Sequence, residues 1–160
     1  MDRAQFLRIY QSTVEPLRRY VARTLGAANA DDVVQEAFTR ALTSASLPAA
    51  PAEARLYLFR VASNLVADHW RRLMRDRELS LRMSTPETQP VGYEIQLDLA
   101  HLFGALSVRE RQLLWLAYIE GLEHEKIALV LEVGASSVKV MLHRARRRLA
   151  MLLEEAGYDG

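Results

Sequence analysis

Large apolar residues recur along nearly the whole chain at spacings of three and four, and no stretch of strict alternation argues for a strand. Phe6, Leu7, Tyr10 and Val14 predict a first helix. Pro16 interrupts it and suits the first turn of a second helix, which carries Leu17, Val21 and Leu25 and stops at Gly26. Asn29 can cap the next helix, with Asp31 and Asp32 in its first turn. That helix has an apolar stripe of Val33, Val34, Ala37, Phe38, Ala41 and Leu42. Its other side is polar, with Asp32, Gln35 and Thr39 in line and Glu36 beside them.

Small residues and two prolines make 44–51 a loop, and a long helix is predicted over about 54–75. Leu58, Val61, Ala62, Leu65 and His69 form its inner stripe, and Arg60, Asn64, Ala67 and Arg71 share another face. Around 80–92 the chain turns polar, with Pro86 and Pro90, and reads as a linker. The expected architecture is all-α: two small helical modules, 1–78 and 95–157, joined by a flexible linker at 79–94.

The second module is sharply punctuated. Ser107 and Glu110 have the spacing of a capping box and open a helix that runs to Gly121. A short helix follows over 124–131, then a turn at 132–135 containing Gly134. Ser136 or Ser137 is expected to cap a last helix that buries Val138, Leu142, Ala145, Leu149 and Leu152. Two short helices joined by such a turn, the second basic outside, is the layout of a helix-turn-helix. Its second helix would present amides and hydroxyls to a phosphate and its next turns to base edges in the major groove.

Charge sharpens that picture. The net charge is only +1, yet 60–77 holds five arginines against Asp68 and Asp76, and 139–148 holds five cations and no acid. Two basic strips in a balanced chain point to a polyanion, although either strip alone also suits a solvated helix face. With no cysteine and four scattered histidines, neither a disulfide scaffold nor a metal site is expected. No apolar run approaches the ~18 residues of a membrane span, and no signal peptide is evident, so a cytoplasmic protein without membrane insertion is expected. Nothing pairs with the dense carboxylates Asp31, Asp32 and Glu36 as an acid–base site would require. Neither an enzyme nor a cofactor is expected.

Asp31-Asp32-Val33-Val34-Gln35-Glu36-Ala37-Phe38 and 58–68, closing with Arg71-Arg72, resemble region two of an extracytoplasmic-function (ECF, group IV) RNA polymerase sigma factor. Leu106-Ser107-Val108-Arg109-Glu110-Arg111, Glu120-Gly121-Leu122, Lys126-Ile127-Ala128 and His143-Arg144-Ala145-Arg146 resemble region four. The resemblance implies that Asp32, Gln35, Glu36 and Thr39 dock on the clamp coiled coil of core RNA polymerase. It implies that Arg60, Asn64, Trp70, Arg71 and Arg72 handle the −10 promoter element. Ser136, Ser137, Lys139, Val140, His143, Arg144, Arg146 and Arg147 would read or grip the −35 element, and region four would also sit on the polymerase flap. With no cysteine for redox sensing and no recognisable phosphoacceptor module, any signal is expected to arrive through a separate anti-sigma protein.

The residues leave some readings open. The stripe on the third predicted helix suits docking or plain solvation. Trp70 can stack an unpaired base or cap a small core. Relatives often carry Gly-Thr and Ser-Arg where this chain has Ser136-Ser137 and Val140-Met141, so Val140 offers only apolar contact, as with a thymine methyl. A stand-alone helix-turn-helix regulator would account for the second module alone, and binding to core polymerase separates the two readings.

Overall fold

The N-terminal apolar stripe runs straight through Pro16: Ile9, Thr13, Leu17, Tyr20, Val21 and Thr24 are buried along one continuous helix, α1 (Arg3–Thr24). The two helices expected here are therefore one. In the computed structural model, which describes residues 1–83 and 99–158, Pro16 only removes the N–H that would bond to Ser12 O. Arg55 Nη1 donates to that carbonyl instead, at 3.4 Å. Asp2 and Gln5 form a capping box at the start of α1, which the apolar pattern did not announce.

Gly26 does double duty. With φ +131 and ψ 149 it follows the end of α1 and is also the N-cap of α2 (Ala27–Thr43). A side chain would strain this backbone, which is why glycine stands here. Helix α2 thus begins before Asn29, and Asp31 and Asp32 lie beyond its first turn. The buried stripe is as expected except at its end, where Leu42 is 62% exposed.

Pro51 opens α3 (Pro51–Met83) from the position where its missing N–H costs nothing. No glycine or proline occurs over 52–85, and the helix passes beyond residue 75 into the segment read as linker. The part of that linker from residue 84 to 94 lies outside the described residues. Helix α3 is buried on more than the anticipated face. Ala54, Phe59, Ser63 and Val66 are buried along with Leu58, Ala62 and Leu65, while Val61 and His69 are only half-buried.

Tyr20 crosses from α1 to α3 inside this core. Ser63 Oγ donates to Phe59 O at 2.6 Å, which leaves it to accept from the Tyr20 hydroxyl at 2.7 Å. Burial pushes the Tyr20 phenol well above its ordinary value of 10.0. Above pH ~10 the unfolded chain gives up this proton while the folded chain keeps it. Stability should therefore fall with rising pH by about 1.4 kcal/mol per unit from this group, until the folded pKa is passed. Tyr20→Phe should cost about 1 kcal/mol at neutral pH and flatten that alkaline slope. Urea titrations of both proteins at pH 8 and pH 11 compare them directly, and parallel losses would refute the assignment.

The second module contains α4 (Leu99–Gly104), α5 (Val108–Leu114), a π-helical turn (Trp115–Ile119), α6 (His124–Leu131) and α7 (Ala135–Glu155). The Ser107–Glu110 capping box forms as expected. Gly121, at φ +67, ends the π-helical turn. The turn between α6 and α7 differs from expectation in detail. Its left-handed residue is Glu132 (φ 56), and Gly134 is the N-cap of α7, so neither Ser136 nor Ser137 caps that helix. Val138, Leu142 and Ala145 are buried, with Leu149 and Leu152 half-buried.

Helix α3 also packs against α6, and α1 packs against α4 and α5. Buried side chains of both modules form one continuous apolar cluster. Among the described residues no helix is long and apolar enough to cross a membrane.

Candidate functional site

Helix α2 turns its apolar stripe inward, so its polar residues are sorted by what lies beside them. Asp32, Gln35 and Thr39 are exposed one turn apart. The Thr39 hydroxyl donates back to Gln35 O at 2.8 Å. The side chains of Asp32 and Gln35 have no hydrogen bond or ion pair among the described residues. Glu36 is different: it pairs with Arg40 at 2.9 Å and lies 3.9 Å from His69 Nε2 of α3. It is therefore tied to its own module, while Asp32, Gln35 and Thr39 form an open stripe.

The α3 residues are divided more sharply. Asn64, Arg71 and Arg72 are exposed, Arg71 pairing with Asp68 at 2.8 Å. Arg60 lies over the Tyr57 ring at 5.4 Å, and its Nε is 3.7 Å from Glu132 in the helix-turn-helix turn. Trp70 is half-buried against the core, and the Arg111 guanidinium lies 5.6 Å from its ring centroid. Two of these five residues thus touch the second module.

On α7, Ser136, Ser137, Lys139, Val140, His143, Arg144, Arg146 and Arg147 are all exposed. No side chain caps α7 at Gly134, and Ser136 and Ser137 are exposed beside its start, an arrangement open to a phosphate. Lys139, Arg144 and Arg147 have no carboxylate partner among the described residues. Arg144 borders a cavity between the modules whose other walls include Trp70 and Glu110. Arg146 points elsewhere. It donates to Tyr118 Oη at 3.1 Å and, with Arg23, flanks an apolar groove lined by Phe103, Trp115, Ile119 and Leu153.

Four functional-looking side chains were not anticipated. Arg111 is only 9% exposed and has no acid beside it. It donates instead to Leu106 O at 3.0 Å, Gly104 O at 2.9 Å and Thr24 O at 2.9 Å. Burial lowers its pKa from the ordinary guanidinium value. Gln112 Nε2 donates to Ser63 O at 3.2 Å. Arg55 Nη2 and Glu120 Oε2 are 2.7 Å apart, and Glu120 keeps only 10% of its side chain exposed. One signal was present for Arg111 and Gln112. The Ser107 cap sets the register of α5, placing both polar residues on the face that carries Val108.

Residues 9–76 match the family described as Sigma-70 region 2, and residues 96–149 match Sigma-70, region 4. The ECF RNA polymerase sigma factor SigL of Mycobacterium tuberculosis is 34% identical over 158 residues, spanning 93% of this chain and 89% of the relative. SigW of Bacillus subtilis, also an ECF RNA polymerase sigma factor, is 25% identical over 171 residues, spanning 96% and 91%. The solved structure of CnrH in complex with the cytosolic domain of CnrY is similar with a TM-score of 0.65 and 26% identity, covering 94% of this chain and 88% of that one. The sigma factor RpoE from Bartonella quintana, solved with the anti-sigma factor NepR, shares the fold with a TM-score of 0.70 at 19% identity, over 93% and 96% of the two chains. Both modules match in order, which a stand-alone helix-turn-helix regulator does not account for. The chain belongs to the ECF RNA polymerase sigma factors, and its work is to direct transcription initiation by core polymerase.

Proposed function

We propose that this protein is a group IV sigma factor that acts in the cytoplasm and has no catalytic centre, metal or cofactor of its own. Residues 1–78 serve as region two, 79–94 as the linker and 95–157 as region four. Asp32, Gln35 and Thr39, with Glu36 beside them, meet the clamp coiled coil of polymerase. Arg60, Asn64, Trp70, Arg71 and Arg72 take the −10 element, where a melted base can stack on the indole. Ser136, Ser137, Lys139, Val140, His143, Arg144 and Arg147 take the −35 element, while Arg146, first grouped with them, turns instead to Tyr118 and the apolar groove. An anti-sigma protein regulates the chain. The groove beside Tyr118, flanked by Arg23 and Arg146, suits an acidic amphipathic helix of that partner or of the polymerase flap.

The observation that carries this reading is the lack of internal partners on two separate surfaces. Asp32 and Gln35 on α2, and Lys139, Arg144 and Arg147 on α7, spend none of their hydrogen-bonding capacity within the described residues. The double replacement Asp32→Ala, Gln35→Ala should leave the thermal midpoint nearly unchanged, since exposed positions without partners contribute little to folding. Affinity for core polymerase should fall about fivefold or more, ~1 kcal/mol. Fluorescence titration with core enzyme measures this, and full affinity in the double variant would make the stripe a solvated face.

A further inference from the structure

We propose that the cavity where α3, α5 and α7 meet binds a nucleoside diphosphate, giving the chain a direct small-molecule input. The cavity has a volume of about 670 Å³, which lies within the range of small-ligand sites. One side of it is apolar, formed by Trp70, Leu113 and Met141. The other side is cationic: Arg109, Arg144 and Arg148 are exposed along it, and the buried Arg111 borders it. Among the described residues of the lining, Glu110 is the single carboxylate.

Charge in this cavity is unbalanced. Glu110 is already committed, since it accepts from Ser107 N at 2.8 Å and lies 3.5 Å from Arg148 Nε. Arg109 and Arg144 have no carboxylate partner among the described residues. Arg111 donates to three carbonyls, neutral dipoles that hold its guanidinium without neutralising it. A charge kept from water without a counter-ion is costly, so an anion entering the cavity gains on Arg111 as well as on the exposed arginines. Four guanidinium groups against one carboxylate leave an excess of three positive charges. A nucleoside diphosphate carries about three negative charges near neutral pH, and its phosphate oxygens suit the planar fork of arginine. Its base would meet the apolar side, where the indole offers a stacking partner. Arg111, 5.6 Å from the centroid of the Trp70 ring, joins the two sides, so one ligand can engage both.

Isothermal titration of the full-length chain with ADP in metal-free buffer tests the site. One ADP should bind per chain, with a Kd below about 100 μM. Inorganic pyrophosphate and adenosine should each bind at least about tenfold more weakly, because each uses one side only. Arg144→Ala should weaken ADP binding by about tenfold, the loss of one charge-assisted hydrogen bond. Arg148→Ala should do at least as much, since it also leaves Glu110 unneutralised. Glu110→Gln should act in the opposite direction and tighten binding by about fivefold. Glutamine keeps an acceptor for Ser107 N, so the helix cap survives that change. Arg19→Ala and Glu125→Gln, at exposed positions outside the lining, change charge equally and should leave ADP binding as it was.

Tighter binding by Glu110→Gln cannot come from a folding defect, so opposite shifts in the two kinds of variant point to the cavity. No binding of ADP at about 1 mM overturns the proposal. Pyrophosphate bound as tightly as ADP overturns the nucleoside assignment. Equal ADP affinity in the original chain, Arg144→Ala and Glu110→Gln overturns the location. Binding of a single-stranded oligonucleotide but of no mononucleotide assigns these arginines to nucleic acid instead, and also overturns the site.

Discussion

Replacing Arg111 by Leu should destabilise the folded chain by about 3 kcal/mol, a large share of the stability of a domain this size. The side chain has no acid to neutralise it, so its place in the interior depends on three carbonyls and one ring. Each carbonyl bond is charge-assisted and lies between 2.9 and 3.0 Å. Leu would fill similar space but leave Leu106 O, Gly104 O and Thr24 O without this donor, and desolvated carbonyls cost about 1 kcal/mol or more each. Arg111→Lys retains the charge yet loses the planar fork that reaches three acceptors at once, so its loss should fall between the two. Urea denaturation followed by far-UV circular dichroism provides the ranking: original chain, Lys variant, Leu variant. An unchanged midpoint for the Leu variant would mean that water replaces the guanidinium freely.

The second large effect is expected on α7. Arg144→Ala should weaken binding to a promoter duplex by about 1–3 kcal/mol, with the loss concentrated on one base position of the −35 element. Arg147→Ala should weaken all duplexes alike and reduce the salt dependence of binding by about one counterion. Both side chains are exposed and lack a carboxylate partner among the described residues, so neither change should disturb folding. Anisotropy titrations at several salt concentrations, on a genomic fragment selected by run-off transcription and on its point variants, separate the two behaviours. Equal transcription from the original chain and Arg144→Ala at limiting protein would count against base readout by Arg144.

Much of this protein was legible before its structure, and the legible parts share a cause. The Ser107–Glu110 capping box, the short helix His124–Leu131 and the stop at Gly121 depend on residues within one or two turns of each other. Propensity and capping act over that distance, so spacing alone located them. The Asp32, Gln35 and Thr39 stripe followed from the same logic, because a helix with one apolar face must turn the other outward. The misreadings were also local. Pro16 was taken for a break, yet an interior proline survives when its face is buried and the freed carbonyl finds a donor. That donor, Arg55, lies 43 residues away. Ser136 or Ser137 was expected to cap α7, yet Gly134 is its N-cap, separated from the left-handed Glu132 by Val133.

The sequence by itself determined an all-helical chain of two modules, a basic helix-turn-helix in the second, and an open polar stripe in the first. Those features come from periodicity and from hydrogen bonds between near neighbours, which any copy of these segments would form. Only the tertiary structure decided how the modules meet. The approach of α3 to α6, the seat of Arg111 on Thr24 O, the Gln112–Ser63 bond and the Arg55–Glu120 pair join residues 49 to 87 positions apart. Such contacts depend on which buried faces come together and which carbonyls are left open, and a one-dimensional pattern records neither. Trp70 shows the consequence: its place among arginines suggested a nucleic-acid contact, while the cation lying over its ring, Arg111, comes from the other module.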